Sequence, residues 1–297
     1  MGSRLHFPLR IERPPLWPGA RRFDMLSGET MKRLTGTLLS VAGFDPSGGA
    51  GILLDVSVFN RFGFHGSAVL TALTVQNTLE VKKLSALPAS FILEQFRALS
   101  GDLKIKGVKF GLLGGGEGIK AMKEILDRLP AVPRVVDPVF RSSSGFRFME
   151  KRFLDEFLNA VRGRVSLLTP NLPEAEVMTG LKPRGIEEMR RTARLIHEMT
   201  GVPCLLKGGH LTGRVADVLF DGRRFLVLRH AKIAGGAHGT GCYLSAAVLA
   251  RLARGDTLGR ACRTAVVATA SALASSSAVG RGRAVLRDFA PRKAARR

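Results

Sequence analysis

The sequence has few cysteines and no long apolar run, the features typical of disulfide-stabilised secreted proteins and of membrane-spanning proteins. It contains three cysteines, Cys204, Cys242 and Cys262, which are widely separated. That spacing does not suggest a disulfide scaffold or a paired-cysteine zinc site, and it suits a reducing compartment. No apolar stretch reaches the ~18 residues that a membrane helix needs. We therefore predict a cytoplasmic protein that does not span a membrane.

Acidic residues are also few relative to basic ones. The 297 residues include 46 lysines and arginines but only 24 aspartates and glutamates, which gives a net charge of +22. Such an excess is compatible with nucleic-acid binding, with an anionic substrate or with a solvated basic surface. Because the basic residues are spread along the chain and no RNA-binding aromatic motif is present, nucleic acid is not the expected main partner.

The sequence lacks the Walker A and G-x-G-x-x-G motifs, but strand-like and helix-like segments alternate from residue 37 onwards. Most strand-like segments are continuous apolar runs, as in a parallel sheet that helices cover on both faces. The pattern predicts an α/β fold with one domain over residues 33–285. Residues 1–32 are a Pro- and Arg-rich extension that we predict to be disordered, and residues 286–297 are a basic tail.

In folds of this kind, ligands bind beyond the carboxyl ends of the strands. The first strand-like run ends in "GFDPSGGAG" (43–51), whose glycines let the backbone approach a ligand closely. The alternative is a tight turn in which Asp45 caps a helix. Another strand-like run ends at Gln76, whose amide either suits the edge of a heteroaromatic ring or lies in a surface loop.

Charged residues follow three further strand-like runs. Asp137 ends one run, in "VVDPV", and "TPNLPEA" places Glu174 three residues after Asn171. Glu174 either pairs with Asn171 as a helix cap or, together with Asp137, holds Mg²⁺ through water. Lys207 precedes two glycines in "LLKGGH", where it either is solvated or reaches a phosphate.

The densest signal is the glycine turn that contains "HGTGC" (238–242). The backbone N–H groups of Gly239, Thr240, Gly241 and Cys242 are expected at a helix N-terminus, which stabilises the charge of a phosphate. The same position is expected to lower the pKa of the Cys242 thiol. The alternative is that Cys242 is a small buried residue of the helix. The density of glycines favours a functional turn.

In this order the motifs resemble those of the hydroxymethylpyrimidine and phosphomethylpyrimidine kinases of thiamine biosynthesis, within the ribokinase-like superfamily. The resemblance covers about residues 35–282 and is carried by "AGFDPSGGAGILLD", "TALTVQNT", "KFGLL", "VVDPV", "LLTPNLPEAE", "LLKGGH" and "HGTGC" followed by "LSAA". It implies a single-domain ribokinase-like fold with a mostly parallel central sheet and helices on both faces. It also implies a kinase that uses ATP and Mg²⁺ to phosphorylate 4-amino-5-hydroxymethyl-2-methylpyrimidine and then its monophosphate.

The resemblance assigns roles to the strand-end residues. It implies that the pyrimidine pocket is lined by Gly43, Asp45, Thr74, Gln76 and Leu112, with Gln76 bonded to the ring. It places Lys207 and Asn171 at the ATP phosphates, and Asp137 and Glu174 at Mg²⁺ and its waters. It makes an anion hole of Gly239, Thr240, Gly241 and Cys242, in which Cys242 occupies the place of the aspartate base of sugar kinases.

Three features depart from the family's pattern. Phe44 stands where small or polar residues are usual, Tyr243 replaces a threonine, and "FRSSSG" (140–145) lacks the lysine before Ser-Gly that bears on the second phosphorylation. A pyridoxal kinase of the same fold is the nearest alternative, since its substrate is also a hydroxymethyl heteroaromatic ring. A catalytically silent basic binding module is the alternative from another class. The intact "HGTGC" turn, Lys207 and Asp137 argue against it, and the sequence leaves a homodimer open.

Overall fold

The computed structural model describes residues 36–129, 131–142, 144–209, 215–230 and 237–286. The predicted extension, residues 1–32, lies outside these ranges, as does the predicted tail except for its first residue, Leu286. The side chain of Leu286 is buried in the core. Within the described ranges, no helix is both long enough and apolar enough to cross a membrane.

The strands of the described residues are short and mostly apolar. They are β1 (Thr37–Phe44), β2 (His65–Gln76), β3 (Val81–Ala86), β4 (Ile105–Phe110), β5 (Arg134–Val136), β6 (Leu167–Leu168), β7 (Cys204–Leu206), β8 (Val215–Phe220), β9 (Phe225–His230), β10 (Ala237–His238) and β11 (Ala284–Val285). Helices connect most of them. These are α1 (Gly51–Arg61), α2 (Ala89–Asp102), α3 (Gly116–Arg128), α4 (Leu154–Val161), α5 (Leu172–Thr179), α6 (Ile186–Thr200), α7 (Thr240–Ala253) and α8 (Leu258–Ala274).

One nine-stranded sheet organises the fold, with the strand order β3-β2-β1-β4-β5-β6-β7-β8-β9. The central strands β2, β1, β4, β5, β6 and β7 run parallel. The antiparallel strands β3, β8 and β9 extend the two edges, and β10 pairs with β11 separately. The predicted α/β fold with a mostly parallel central sheet is confirmed.

Two apolar cores lie on opposite faces of the sheet. One contains side chains of α2 to α6, and the other contains side chains of α1, α7 and α8. Because helices cover both faces, the central strands must be apolar on both sides. Strand β4 breaks this rule at one position: Val108 and Phe110 enter the first core, whereas the ammonium group of Lys109 contacts Asp55 of α1.

The edge strand β3 does not show the apolar run that is typical of the central strands. Strand β3, "VKKLSA", lacks a continuous apolar run because most of its side chains are exposed at the edge. The turn signals are clearer. The hairpin predicted around Asp221 and Gly222 joins β8 to β9, and the predicted break at Gly255 and Asp256 separates α7 from α8.

Candidate active site

The predicted site residues meet at the edge of the sheet formed by the carboxyl ends of the parallel strands. They form three groups. The pocket group is Gly43, Asp45, Thr74, Gln76 and Leu112. The lysine–carboxylate group is Asp137, Asn171, Glu174 and Lys207. The cradle is the start of α7, Gly239, Thr240, Gly241 and Cys242.

Glycines let the first loop pack against the cradle. Gly239 has φ +85°, and a Cβ at this position would overlap the carbonyl oxygen of Gly49. Gly51 has φ +60°, and a Cβ there would overlap the carbonyl oxygen of Gly43. Side chains are therefore excluded from both positions by backbone conformation and by space. The backbone of residues 43–51 thus lies directly against the N-terminus of α7.

Asp45 and Gln76 of the pocket group are joined by His238. The ring nitrogen Nε2 of His238 lies 2.8 Å from Asp45 Oδ2 and 3.0 Å from Gln76 Nε2. Asp45 also accepts hydrogen bonds from the backbone N–H and the hydroxyl of Ser47. Burial alone would raise the pKa of Asp45, but the hydrogen bonds from His238 and Ser47 outweigh burial and hold it below its usual range. The side chain is thus an ionised, nearly buried acceptor.

The remaining members of the pocket group are held by close packing. The hydroxyl of Thr74 donates to the carbonyl oxygen of Phe44 at 2.9 Å. A Cβ on Gly43 would lie 2.6 Å from Leu112 Cδ2, so a side chain at residue 43 would displace Leu112. The structure therefore brings all five residues of the pocket group together beside the loop 43–51.

An ion pair forms the centre of the lysine–carboxylate group. Lys207 Nζ donates to Asp137 Oδ1 at 2.6 Å, and the hydroxyl of Thr169 donates to the same oxygen at 3.1 Å. Burial alone would lower the pKa of Lys207, but Asp137 and Glu174 outweigh burial and raise it. Burial alone would raise the pKa of Asp137, and its cationic neighbours lower it instead. Both groups are therefore charged at neutral pH.

Asn171 and Glu174 form the capping box at the start of α5. Asn171 accepts from the backbone N–H of Glu174, and Glu174 accepts from the backbone N–H of Asn171. The cap pair considered from the sequence is therefore present. Burial raises the pKa of Glu174 to about 8, while Lys207 opposes the rise and Asp137 adds to it. Both members of the ion pair therefore act on Glu174. Asn171 also forms a parallel β-bridge with Lys207.

The cradle faces this ion pair. A Cβ on Gly241 would lie 3.0 Å from Lys207 Nζ and 3.6 Å from Asp137 Oδ2. The absence of a side chain thus leaves the first turn of α7 open toward a lysine and a carboxylate. Thr240 donates through its hydroxyl to the carbonyl oxygen of Ala237 at 2.9 Å, which holds the turn.

Cys242 differs from the sequence-based expectation in its ionisation. The ammonium group of Lys109 and the backbone N–H of Gly51 each lower the pKa of its thiol. Burial nevertheless raises the pKa of the Cys242 thiol to about 11, rather than lowering it as its place at a helix N-terminus predicted. Tyr243, the neighbouring departure from the family pattern, is buried in the core on the α1, α7 and α8 side. It packs the helix without entering the cradle.

Sequence reasoning missed a second buried ion pair. Lys109 Nζ lies 2.7 Å from Asp55 Oδ1 and 2.8 Å from Oδ2, and neither side chain has any exposed surface. Ser40 donates to Asp55 Oδ2 at 2.6 Å. One signal was available: a lysine between valine and phenylalanine in "GVKFG" must be buried if that strand is central. His238 was also missed, although it stands in the quoted "HGTGC" motif.

Comparisons with known proteins show the family of this chain. The family model for phosphomethylpyrimidine kinase matches residues 45–287. A hydroxymethylpyrimidine/phosphomethylpyrimidine kinase of Aquifex aeolicus is 39% identical over 253 residues, covering 84% of this chain and 99% of that protein.

Solved structures show the same fold. The phosphomethylpyrimidine kinase of Clostridium difficile has a TM-score of 0.70 at 32% identity, covering 80% of this chain and 98% of that one. The pyridoxal kinase of Staphylococcus aureus in complex with AMP-PCP has a TM-score of 0.79 at 27% identity, covering 87% of this chain and 95% of that one. The fold is therefore ribokinase-like, and the chain belongs to the phosphomethylpyrimidine kinase family.

Proposed function

We propose that this chain transfers phosphate from ATP to 4-amino-5-hydroxymethyl-2-methylpyrimidine and then to the resulting monophosphate, as a kinase of thiamine biosynthesis. The observation that carries the proposal is the open face of Gly241 toward Lys207 and Asp137. It places helix N–H groups and an ammonium group around one position, where the charge of a transferred phosphoryl group would be stabilised. The carboxylate beside them would repel that group unless a cation were bound to it.

The pocket group supplies the binding site for the pyrimidine in this proposal. Gln76 offers both a donor and an acceptor to the ring edge, and its Nε2 lies 3.0 Å from His238 Nε2. The Thr74 hydroxyl lies 3.3 Å from Gln76 Oε1, and Asp45 anchors His238. Since His238 immediately precedes Gly239, the pyrimidine would lie next to the cradle, with its hydroxymethyl group toward α7.

Positive charge on the phosphate side comes from Lys207. Its side chain is 12% exposed, and the hydrogen bond to Asp137 fixes the direction of its ammonium group. In this proposal it binds the ATP phosphates beside Asn171, while the N–H groups of residues 239–242 bind the transferred group. Most of the rate in phosphoryl transfer comes from such positioning and charge stabilisation.

The donor set fits Mg²⁺. Mg²⁺ in nucleotide enzymes is held by one or two carboxylates together with waters and phosphate oxygens. Asp137 and Glu174 are buried near each other, and Asp137 raises the pKa of Glu174 through its negative charge. A divalent cation would relieve that repulsion. In the described part of the chain, no group of three or more His, Cys, Asp or Glu residues could hold a metal by itself, so waters and phosphates would complete the shell.

Cys242 would act as the base in this proposal. Burial raises the pKa of the thiol to about 11, so the thiolate is the minor form at neutral pH. That minor form would accept the proton of the hydroxymethyl group while the alcohol oxygen attacks the γ-phosphorus and ADP leaves. The thiol lies in the first turn of α7, so the base and the anion-binding N–H groups come from one segment. The free cysteines are those of a protein in a reducing compartment, and we propose that the enzyme acts in the cytoplasm.

A coupled ADP-release assay tests the function. The purified chain is supplied with ATP, Mg²⁺ and, in turn, hydroxymethylpyrimidine, its monophosphate and pyridoxal. We expect turnover with both pyrimidines, and kcat/KM for hydroxymethylpyrimidine at least about tenfold above that for pyridoxal. Preference for pyridoxal would refute the proposal in favour of the pyridoxal kinase alternative. That alternative is included because the pyridoxal kinase of S. aureus has a TM-score of 0.79. No turnover with any of the three would refute both.

A further inference from the structure

A buried charged cluster lies outside the machinery described above. It consists of Ser40, Asp55 and Lys109, and we call it the Lys109 cluster. Ser40 on β1 and Lys109 on β4 are register partners on neighbouring strands, and both reach Asp55 of α1. The cluster therefore joins two central strands to the helix that follows the loop 43–51.

Stability alone does not account for this cluster. Removing two charges from water is costly, and a buried ion pair is often no more stable than apolar residues of similar volume. Both charged side chains are fully buried, on a sheet face whose other side chains form an apolar core. A role in the neighbouring site gives a reason for keeping the charge.

The packing of α7 connects the cluster to Cys242. A Cβ on Gly107, two residues before Lys109 on the same face of β4, would lie 2.9 Å from Leu249 Cδ1 of α7. Lys109 therefore lies on the sheet face that α7 covers, and Asp55 holds its ammonium group there. Cys242 lies in the first turn of the same helix.

Four charged groups from different elements act on the thiol. They are Lys109 on β4, Asp55 on α1, Asp137 after β5 and Lys207 after β7. Burial is the largest influence and raises the pKa of Cys242, and Lys109 is the largest influence in the opposite direction. The two aspartates raise it further.

We propose that Lys109 is a positioning residue for phosphate transfer: fixed by Asp55 and Ser40, its ammonium group places a permanent positive charge behind Cys242 and favours the thiolate. The inference rests on the role proposed above for Cys242. Ionisation releases the thiol proton to water, so no further reactant is involved. Because Lys109 donates to both oxygens of Asp55, its charge is held in place in the absence of substrate.

The test measures alkylation of Cys242 by iodoacetamide between about pH 8 and pH 10, where the thiolate is the reacting species. Peptide mass spectrometry separates Cys242 from the buried Cys204 and Cys262. The variants are Lys109→Met and, as a matched control, Lys106→Met, which removes a lysine from the same strand but outside the buried ion pair. We expect Lys109→Met to lower the alkylation rate at each pH at least about tenfold, which corresponds to a rise of one pH unit in the thiol pKa.

The control should alkylate at the wild-type rate. An equal rate in Lys109→Met and wild type would overturn the inference.

A double variant tests whether the effect of Lys109→Met is only a consequence of misfolding. Lys109→Met leaves Asp55 unpaired, whereas Asp55→Asn with Lys109→Met removes both charges and restores a neutral core. We expect the double variant to unfold near the wild-type temperature but to alkylate more slowly than wild type. Because Asp55 itself raises the pKa of the thiol, the alkylation rate of the double variant is compared with that of Asp55→Asn alone. Equal rates in these two variants would refute the inference. Alkylation needs no phosphate transfer, so this result is separate from the ADP-release assay that tests the function.

Discussion

Replacing Gly239 by alanine should disrupt the contact between the loop 43–51 and the cradle. Gly255, at the end of α7, is the matched control because the two glycines have nearly the same φ, +85° and +88°. Alanine in this left-handed region costs roughly 1–2 kcal/mol at either position. A Cβ on Gly255 meets no atom within 4 Å, so the Gly255→Ala variant should lose only that amount.

The cost at Gly239 is larger because the new Cβ has no space. It would lie 2.6 Å from Leu54 Cδ2 and closer still to the carbonyl oxygen of Gly49. A backbone atom cannot rotate away, so the loop must shift, which adds about 1–3 kcal/mol. The total loss in the free energy of unfolding is thus about 2–5 kcal/mol. The shift also separates the loop from the N–H groups of residues 239–242.

Thermal unfolding and the ADP-release assay together check this reasoning. Each kcal/mol should lower the midpoint by about 2–4 °C, so Gly255→Ala should unfold a few degrees below wild type and keep its turnover. Gly239→Ala should unfold lower still and lose turnover even when assayed well below its midpoint. If the two variants have the same midpoint and the same turnover, the steric argument for the cradle is wrong.

Three further substitutions test single groups of the site. Cys242→Ala should reduce turnover about 100-fold or more, as expected for loss of a general base, while hydroxymethylpyrimidine still binds in calorimetry; near-full turnover would remove Cys242 as the base. Lys207→Met should weaken ATP binding about tenfold to a hundredfold through loss of a charge-assisted hydrogen bond, whereas Lys182→Met, at an exposed position, should not change it. Asp45→Asn tests the hydrogen bonds that hold the pKa of Asp45 below its usual 3.8: ionised Asp45 stabilises the fold above that pH, and this contribution is lost as pH falls through the lower pKa of the folded state. The variant should therefore unfold below the wild-type temperature at neutral pH, and the difference should close in acid. A gap that is independent of pH would contradict this.

Much of the site could be predicted because its residues stand in local motifs. The loop 43–51 and the turn 238–242 are rich in glycine, which is readable along the chain, and the polar residues follow apolar strands. The order of strands and helices then places those ends at one edge of the sheet. The Asn171–Glu174 cap is likewise a three-residue pattern that needs no distant contact.

The contacts that set the ionisation of the site residues join distant parts of the chain, unlike the local motifs. Lys109 meets Asp55 across 54 residues, Lys207 meets Asp137 across 70, and His238 meets Asp45 across 193. No periodicity encodes such pairs, since they depend on which strands become neighbours and on how α1 and α7 cover the sheet.

The Cys242 thiol shows what the sequence determined and what only the tertiary structure decided. The sequence by itself determined that a cysteine follows a glycine turn at the start of a helix, and the helix N-terminus alone predicts a lowered pKa. Only the tertiary structure decided the opposite direction, because the fold shields the half-buried Cys242 and this burial outweighs the charges around the thiol. Local sequence determines which groups are present, whereas the surrounding fold determines their solvation and hence their ionisation.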